Sequence, residues 1–168
     1  MMENNINKVS IRLVKDSTLI TNEKLDSPQK VADIIGGEFR DMDREVFCVV
    51  NLNTQLQPIN YTFCSLGTIN RSLVSPRELF KAAILSNAAS MIIMHNHPSS
   101  VLDPSEEDIL ITKKLHGLCA MMSIPLQDHI IVGPEDNTYY SFKEHNIIVT
   151  ENPDYEFALF AAEKNRAR

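Results

Sequence analysis

Apolar residues in this chain come in short runs, and the spacing inside each run indicates the element it builds. "REVFCVVNLN" (44–53) is rich in valine and phenylalanine, and "PINYTFCSLGTI" (58–69) is a second extended stretch beyond the linker "NTQLQ". The pair predicts a β-hairpin. "ASMIIM" (89–94) is a continuous apolar run ending at His95, and predicts a buried strand. "IPLQDHIIVG" (124–133) and "TYYSFKE" (138–144) predict two more strands, and "KVSIRLV" (8–14) another near the start. Helices are marked by their ends. "SPQKVADIIGG" (27–37) has Ser27 to cap it, Pro28 at the first helical position and Gly36-Gly37 to stop it. "SPRELFKAAILSNA" (75–88) opens on Ser75, Pro76 and Glu78, which predict a capping box with proline at N1. "DPSEEDILITKKLHGLCAMM" (103–122) follows, with Asp103 expected as N-cap and Pro104 at N1, and "PDYEFALFAAEKNRAR" (153–168) reads as a final amphipathic helix. Helices alternating with strands, the central ones buried, predict an α/β fold: a mixed sheet with helices on its faces.

Composition narrows the class. A chain of 168 residues, 43% hydrophobic and 23% charged, suits one soluble domain with a single sizeable core. It has no internal repeat and divides into an N-terminal strand and extension (1–25), a main domain (26–146) and a C-terminal helix (147–168). No window is long and apolar enough for a membrane span, and the first residues lack the apolar region of a secretory signal, so a cytoplasmic protein is expected. Cys48, Cys64 and Cys119 form no C-x-x-C pair and are expected to be reduced and buried. Sixteen basic against 22 acidic residues give a net charge of -6. That balance does not support affinity resting on nucleic-acid phosphates.

The chemistry gathers at "HNHPSSVLDPSEED" (95–108). Residues two apart on a strand point to one side, so His95 and His97 aim both imidazoles at one place while Asn96 faces away. They stand at the carboxyl end of a strand, where α/β sheets gather ligands. Two imidazoles suit zinc, and a catalytic zinc takes a third protein ligand and keeps a position open for water. Asp108 offers that ligand. It heads a stripe read as Asp108, Ile111, Leu115, Leu118 and Met122, with Ser105 on the same side and Glu106, Glu107, Lys113 and Lys114 on the other. A carboxylate aimed inward needs a partner, and a metal would be one. Ser105 and Asp108 also read as an ordinary S-x-x-D capping signature, and an isolated H-x-H is a weak signal; the conjunction favours a metal. His116 falls off the stripe. His129, on a neighbouring strand, and Asn96 are candidates to orient the site from outside the ligand set. The contiguous letters "HNH" are no nuclease signature, because the residues that name HNH nucleases are dispersed over a ββα unit. Zinc deaminases need H-x-E and P-C-x-x-C, which are absent, and the chain is short for a metal-dependent TIM barrel.

This segment resembles the JAMM (MPN-plus) metalloprotease motif, with His95, His97, Pro98, Ser105 and Asp108 at matching spacing. The flanks "LGTINRSLVSPRELFKAAILSNAAS" and "DHIIVG…YYSFKEH" resemble its RadC-like branch, and the likeness covers residues 26–146. The resemblance implies a cytidine-deaminase-like JAB/MPN fold, a three-layer α/β/α sandwich. It implies zinc on His95, His97 and Asp108 and a water-activating glutamate on an earlier strand, which matches Glu45, with Glu38 as the alternative. Glu45's own neighbours read only as a solvated strand end. The implied reaction is hydrolysis of a peptide or isopeptide bond in a protein or peptide substrate, with Glu45 moving the proton and Ser105 steadying the oxyanion. Two other readings are a DNA-repair or mobile-element accessory that binds nucleic acid, and a catalytically silent interaction module, which the intact ligands disfavour. Ser100 stands where the family pattern "HNHPSG" ends in glycine, Gln127 stands for the leucine of "LDH", and the family's N-terminal helix-hairpin-helix region has no counterpart here.

Overall fold

The structure is a computed structural model that describes residues 10, 12–19, 21–39, 41–66, 74–97, 101–135 and 138–148. The helix expected over 153–168 and the Ser100 position lie outside these residues. Among the described residues the elements are α1 (Pro28–Ile35), a 3-10 turn (Gly36–Phe39), β1 (Val46–Leu52), β2 (Pro58–Leu66), α2 (Pro76–Leu85), β3 (Ser90–Asn96), α3 (Glu106–Met121), β4 (Leu126–Val132) and β5 (Tyr139–Ser141).

The sheet runs β2-β1-β3-β4-β5. β3 and β4 are parallel, joined by the crossover through α3, and the other pairings are antiparallel, including the β1–β2 hairpin. The two-residue period sorts side chains to two faces. Val46, Cys48, Val50, Leu52, Ile92, Met94, Ile130 and Val132 pack with Leu25, Val31, Ala32, Ile35 and Phe39 of the α1 layer. Phe47, Val49, Met91, Ile93 and Ile131 face Leu79, Phe80 and Ala83 of α2 and Leu115 and Cys119 of α3. The result is a three-layer α/β/α sandwich around a five-stranded mixed sheet, the architecture the resemblance implies. β1 and β3 are buried at every position, which is why they read as apolar runs and not as alternating strands. None of the described helices is long and apolar enough to cross a membrane.

Several local expectations need correction. Ser10 and residues 12–19 form no strand. Ser75 sits at the N-cap of α2, but its side chain caps nothing; the Glu78 carboxylate pairs with Lys81 at 3.2 Å instead of reaching back. α3 begins later than Asp103-Pro104 suggests: Ser105 is the N-cap, and it forms a capping box with Asp108. The inward stripe of α3 is therefore Asp108, Thr112, Leu115 and Cys119, the 4-3-4 spacing that a 3.6-residue period favours. Ile111 and Leu118 flank it, and Met122 is exposed. Cys48 and Cys119 are buried, whereas Cys64, on the edge strand β2, is half-buried; all three are free thiols.

Candidate metal centre

His95 is the penultimate residue of β3 and His97 lies just past its end. His95 is fully buried, His97 half-buried. Asp108 sits in the first turn of α3, where the helix N-terminus favours a carboxylate. His95 Nε2 lies 2.9 Å from His97 Nε2, His95 Nε2 lies 3.4 Å from Asp108 Oδ1, and His97 Nε2 lies 3.4 Å from Asp108 Oδ2. Among the described residues, these three form the group of His, Cys, Asp or Glu side chains that could hold a metal ion. Tetrahedral zinc with bonds of about 2.0–2.1 Å has ligand-to-ligand edges of about 3.3 Å. The three donors lie close to that spacing.

The surroundings fix each donor. The Ser105 N–H and O–H both donate to Asp108 Oδ2, at 2.8 and 2.6 Å, while Ser105 Oγ accepts from the Asp108 N–H at 3.1 Å. The carboxylate that caps the helix is thus also the one that could hold a metal: Oδ2 is tied to the N-cap and lies 3.4 Å from His97 Nε2, and Oδ1 faces His95. His97 Nδ1 lies 2.7 Å from the Val101 carbonyl. A carbonyl only accepts, so Nδ1 carries a proton and Nε2 is the nitrogen turned to the centre. The His95 ring stacks on Phe47, and the fully buried His129 ring stacks on Phe142. His129 stands behind His95, its Nε2 2.8 Å from His95 Nδ1 and its Nδ1 2.5 Å from Thr112 Oγ1.

Glu45 comes from the strand on the other side. β1 is antiparallel to β3 with Phe47 opposite His95; Glu45 stands just before β1, two residues back, where continuing that register puts it on the His97 side, and His95, His97 and Asp108 all act on its charge. Asn96, between the two histidines, turns to the other face. Its Oδ1 accepts from the Val46 N–H at 2.8 Å and its Nδ2 donates to the Arg44 carbonyl at 3.1 Å. It therefore grips the peptide groups on both sides of Glu45. Glu38 accepts a 2.7 Å hydrogen bond from the Tyr61 hydroxyl in the α1 layer, across the sheet from the histidines. Half-buried Gln127 and exposed Lys143 line a hollow on that same far side. His116 is half-buried on α3 and stands outside the group of three.

The RadC-like JAB domain family matches residues 25–147. This chain belongs to that family. It is similar to a UPF0758 protein of Desulforamulus reducens, 46% identical over 121 residues that make up 72% of this chain and 52% of that protein. It is also similar to UPF0758 proteins of Clostridium perfringens, 42% identical over 129 residues (77% and 56%), and of Shouchella clausii, 38% identical over 139 residues (83% and 60%). The chain thus spans a little over half the length of these relatives.

In this RadC-like JAB domain the titratable groups of the cluster act on one another. Burial alone would raise the Asp108 carboxyl, but the His95 and His97 rings and the Ser105 donor outweigh it and hold it well below the usual carboxylate range. Asp108 in turn raises His97, against desolvation and with help from the Val101 carbonyl and the Glu45 charge. Partial burial raises Glu45; Asp108 adds to this, and the histidines oppose it. Full burial pushes His129 well below its usual value, so it is neutral. Two Nε2 atoms 2.9 Å apart beside a carboxylate cannot both stay bare with nothing between them: one ring carries a proton there, or a metal ion takes its place. Sequence reasoning missed Thr112. Its signal was a hydroxyl four residues after Asp108, on the same inward stripe and among apolar neighbours.

Proposed function

We propose that this RadC-like JAB domain is a zinc-dependent metallohydrolase of the JAMM type that cleaves peptide or isopeptide bonds in a protein or peptide substrate. The observation that carries this reading is the convergence of His95 Nε2, His97 Nε2 and the Asp108 carboxylate within 2.9–3.4 Å of one another. Two imidazoles and a carboxylate suit zinc better than a hard, oxygen-loving cation. Bound zinc supplies a polarised carbonyl and a water whose pKa falls toward about 7. His95, His97 and Asp108 would hold it. Glu45, half-desolvated and raised, is matched to take a proton from that water and return it to the leaving amine. Ser105 would offer its hydroxyl to the oxyanion by giving up its bond to Asp108 Oδ2.

Elemental analysis of the purified chain tests the metal, and hydrolysis of fluorogenic peptide and isopeptide substrates tests the reaction. We expect about one zinc per chain, lost in Asp108→Ala. Glu45→Gln should keep the zinc and lose about 100-fold or more in rate. A wild-type chain without zinc, or hydrolysis indifferent to Glu45, would sink the proposal.

A further inference from the structure

Behind the candidate ligands runs a chain of hydrogen bonds whose direction the Thr112 hydroxyl decides. Thr112 Oγ1 lies 2.5 Å from the Asp108 carbonyl oxygen and 2.5 Å from His129 Nδ1. The hydroxyl has one proton, and the carbonyl can only accept, so that proton goes to Asp108 O. The hydroxyl lone pair must then accept from His129, which places a proton on His129 Nδ1. His129 is fully buried, which keeps the ring neutral with a single proton. Its Nε2 is therefore bare and accepts from His95 Nδ1, 2.8 Å away. In a neutral His95 ring the remaining nitrogen, Nε2, is then a lone pair. It is the atom that faces His97 Nε2 and Asp108 Oδ1.

We propose that Thr112 sets the tautomer of His95 through His129, so that one hydroxyl on α3 decides whether His95 presents a lone pair or a proton to the metal. The relay starts on the main-chain oxygen of Asp108 and ends opposite its carboxylate, so one residue anchors both ends. Thr112 touches no reacting atom; it is a positioning residue. In the consequence for metal affinity the proposal rests on the zinc reading above. In the consequence for the tautomer it does not.

Thr112→Val keeps the shape and removes the hydroxyl. His129 Nδ1–H then loses its acceptor in a buried site, and the ring is expected to move its proton to Nε2 and donate to His95 Nδ1. That forces the His95 proton onto Nε2, where it blocks the metal. Long-range 15N–1H NMR on the metal-free protein reads this directly. Wild type should show Nδ1–H on both rings, Thr112→Val should show Nε2–H on both, and Thr112→Ser should return to the wild-type pattern. Zinc affinity, measured against a chromophoric chelator, should fall about 10–100-fold in Thr112→Val and recover in Thr112→Ser. Unchanged tautomers in Thr112→Val overturn the relay, and so does a Thr112→Ser variant that falls as far as Thr112→Val. If wild type binds no zinc but the tautomers still reverse in Thr112→Val, the relay stands and the metal reading alone fails.

Discussion

His97 is where proton and metal compete most directly. Its Nε2 must be bare to bind a metal, yet Asp108 holds its pKa above the usual imidazole value of 6.5. Zinc affinity is therefore expected to fall on acidification, beginning at a pH above 6.5. The metal-free fold has the opposite dependence. A histidine raised in the folded state contributes stability that is fully present below its unfolded pKa and is lost as pH rises through the folded one. Melting curves should show metal-free protein losing stability as pH rises past 6.5. With zinc in excess, the stability gained from binding should grow over the same range, by about 1.4 kcal/mol per tenfold gain in affinity. Parallel trends for the two forms would show that His97 is not the group the metal displaces a proton from.

Among the elements, β1 and β3 are coupled by more than their ladder. Asn96 extends it by two side-chain bonds, to the Val46 N–H and the Arg44 carbonyl. Asn96→Ala leaves both peptide groups without that partner and is expected to cost about 1–3 kcal/mol in urea unfolding. Hydrolysis should fall through loosening of Glu45, while zinc content stays at wild type; loss of zinc would show that Asn96 acts on the ligands. The same elements show what the sequence could and could not convey. His95 and His97 were legible because a period of two is a local property of any strand. The start of α3 was not, because Asp103-Pro104 and Ser105 both carry capping chemistry, and the choice falls to whichever finds a partner at N3, here Asp108. A first step of three from Asp108 led to Ile111, whereas the buried step is four, to Thr112. Glu45 has no local signal. Its place beside His97 follows from an antiparallel register between residues some fifty positions apart, which only the family resemblance foreshadowed. His129 was legible as a neighbour of the site, but its two partners, His95 and Thr112, belong to β3 and α3 and emerge only when the layers pack.

At the scale of the whole molecule, the covered sheet leaves chemistry to one end of β3, and the surface carries a net charge of -6. Mobility of duplex DNA in the presence of this chain is accordingly expected to be unchanged even at low salt; a shift that weakens steeply with added salt would revive the nucleic-acid reading. The three candidate ligands lie between positions 95 and 108, whereas Glu45, the glutamate proposed to move the proton, lies far upstream, before the β1–β2 hairpin. Closing a short segment costs little chain entropy, and pairing across a long one costs more and comes more slowly. On the proposed reading, the group that would hold the ion and the group that would make it reactive thus depend on closures of different length. A chain in which β3 had met α3 before β1 docked is expected to bind zinc without hydrolysing substrate, and this topology would then delay the reactive state until the fold around it is complete.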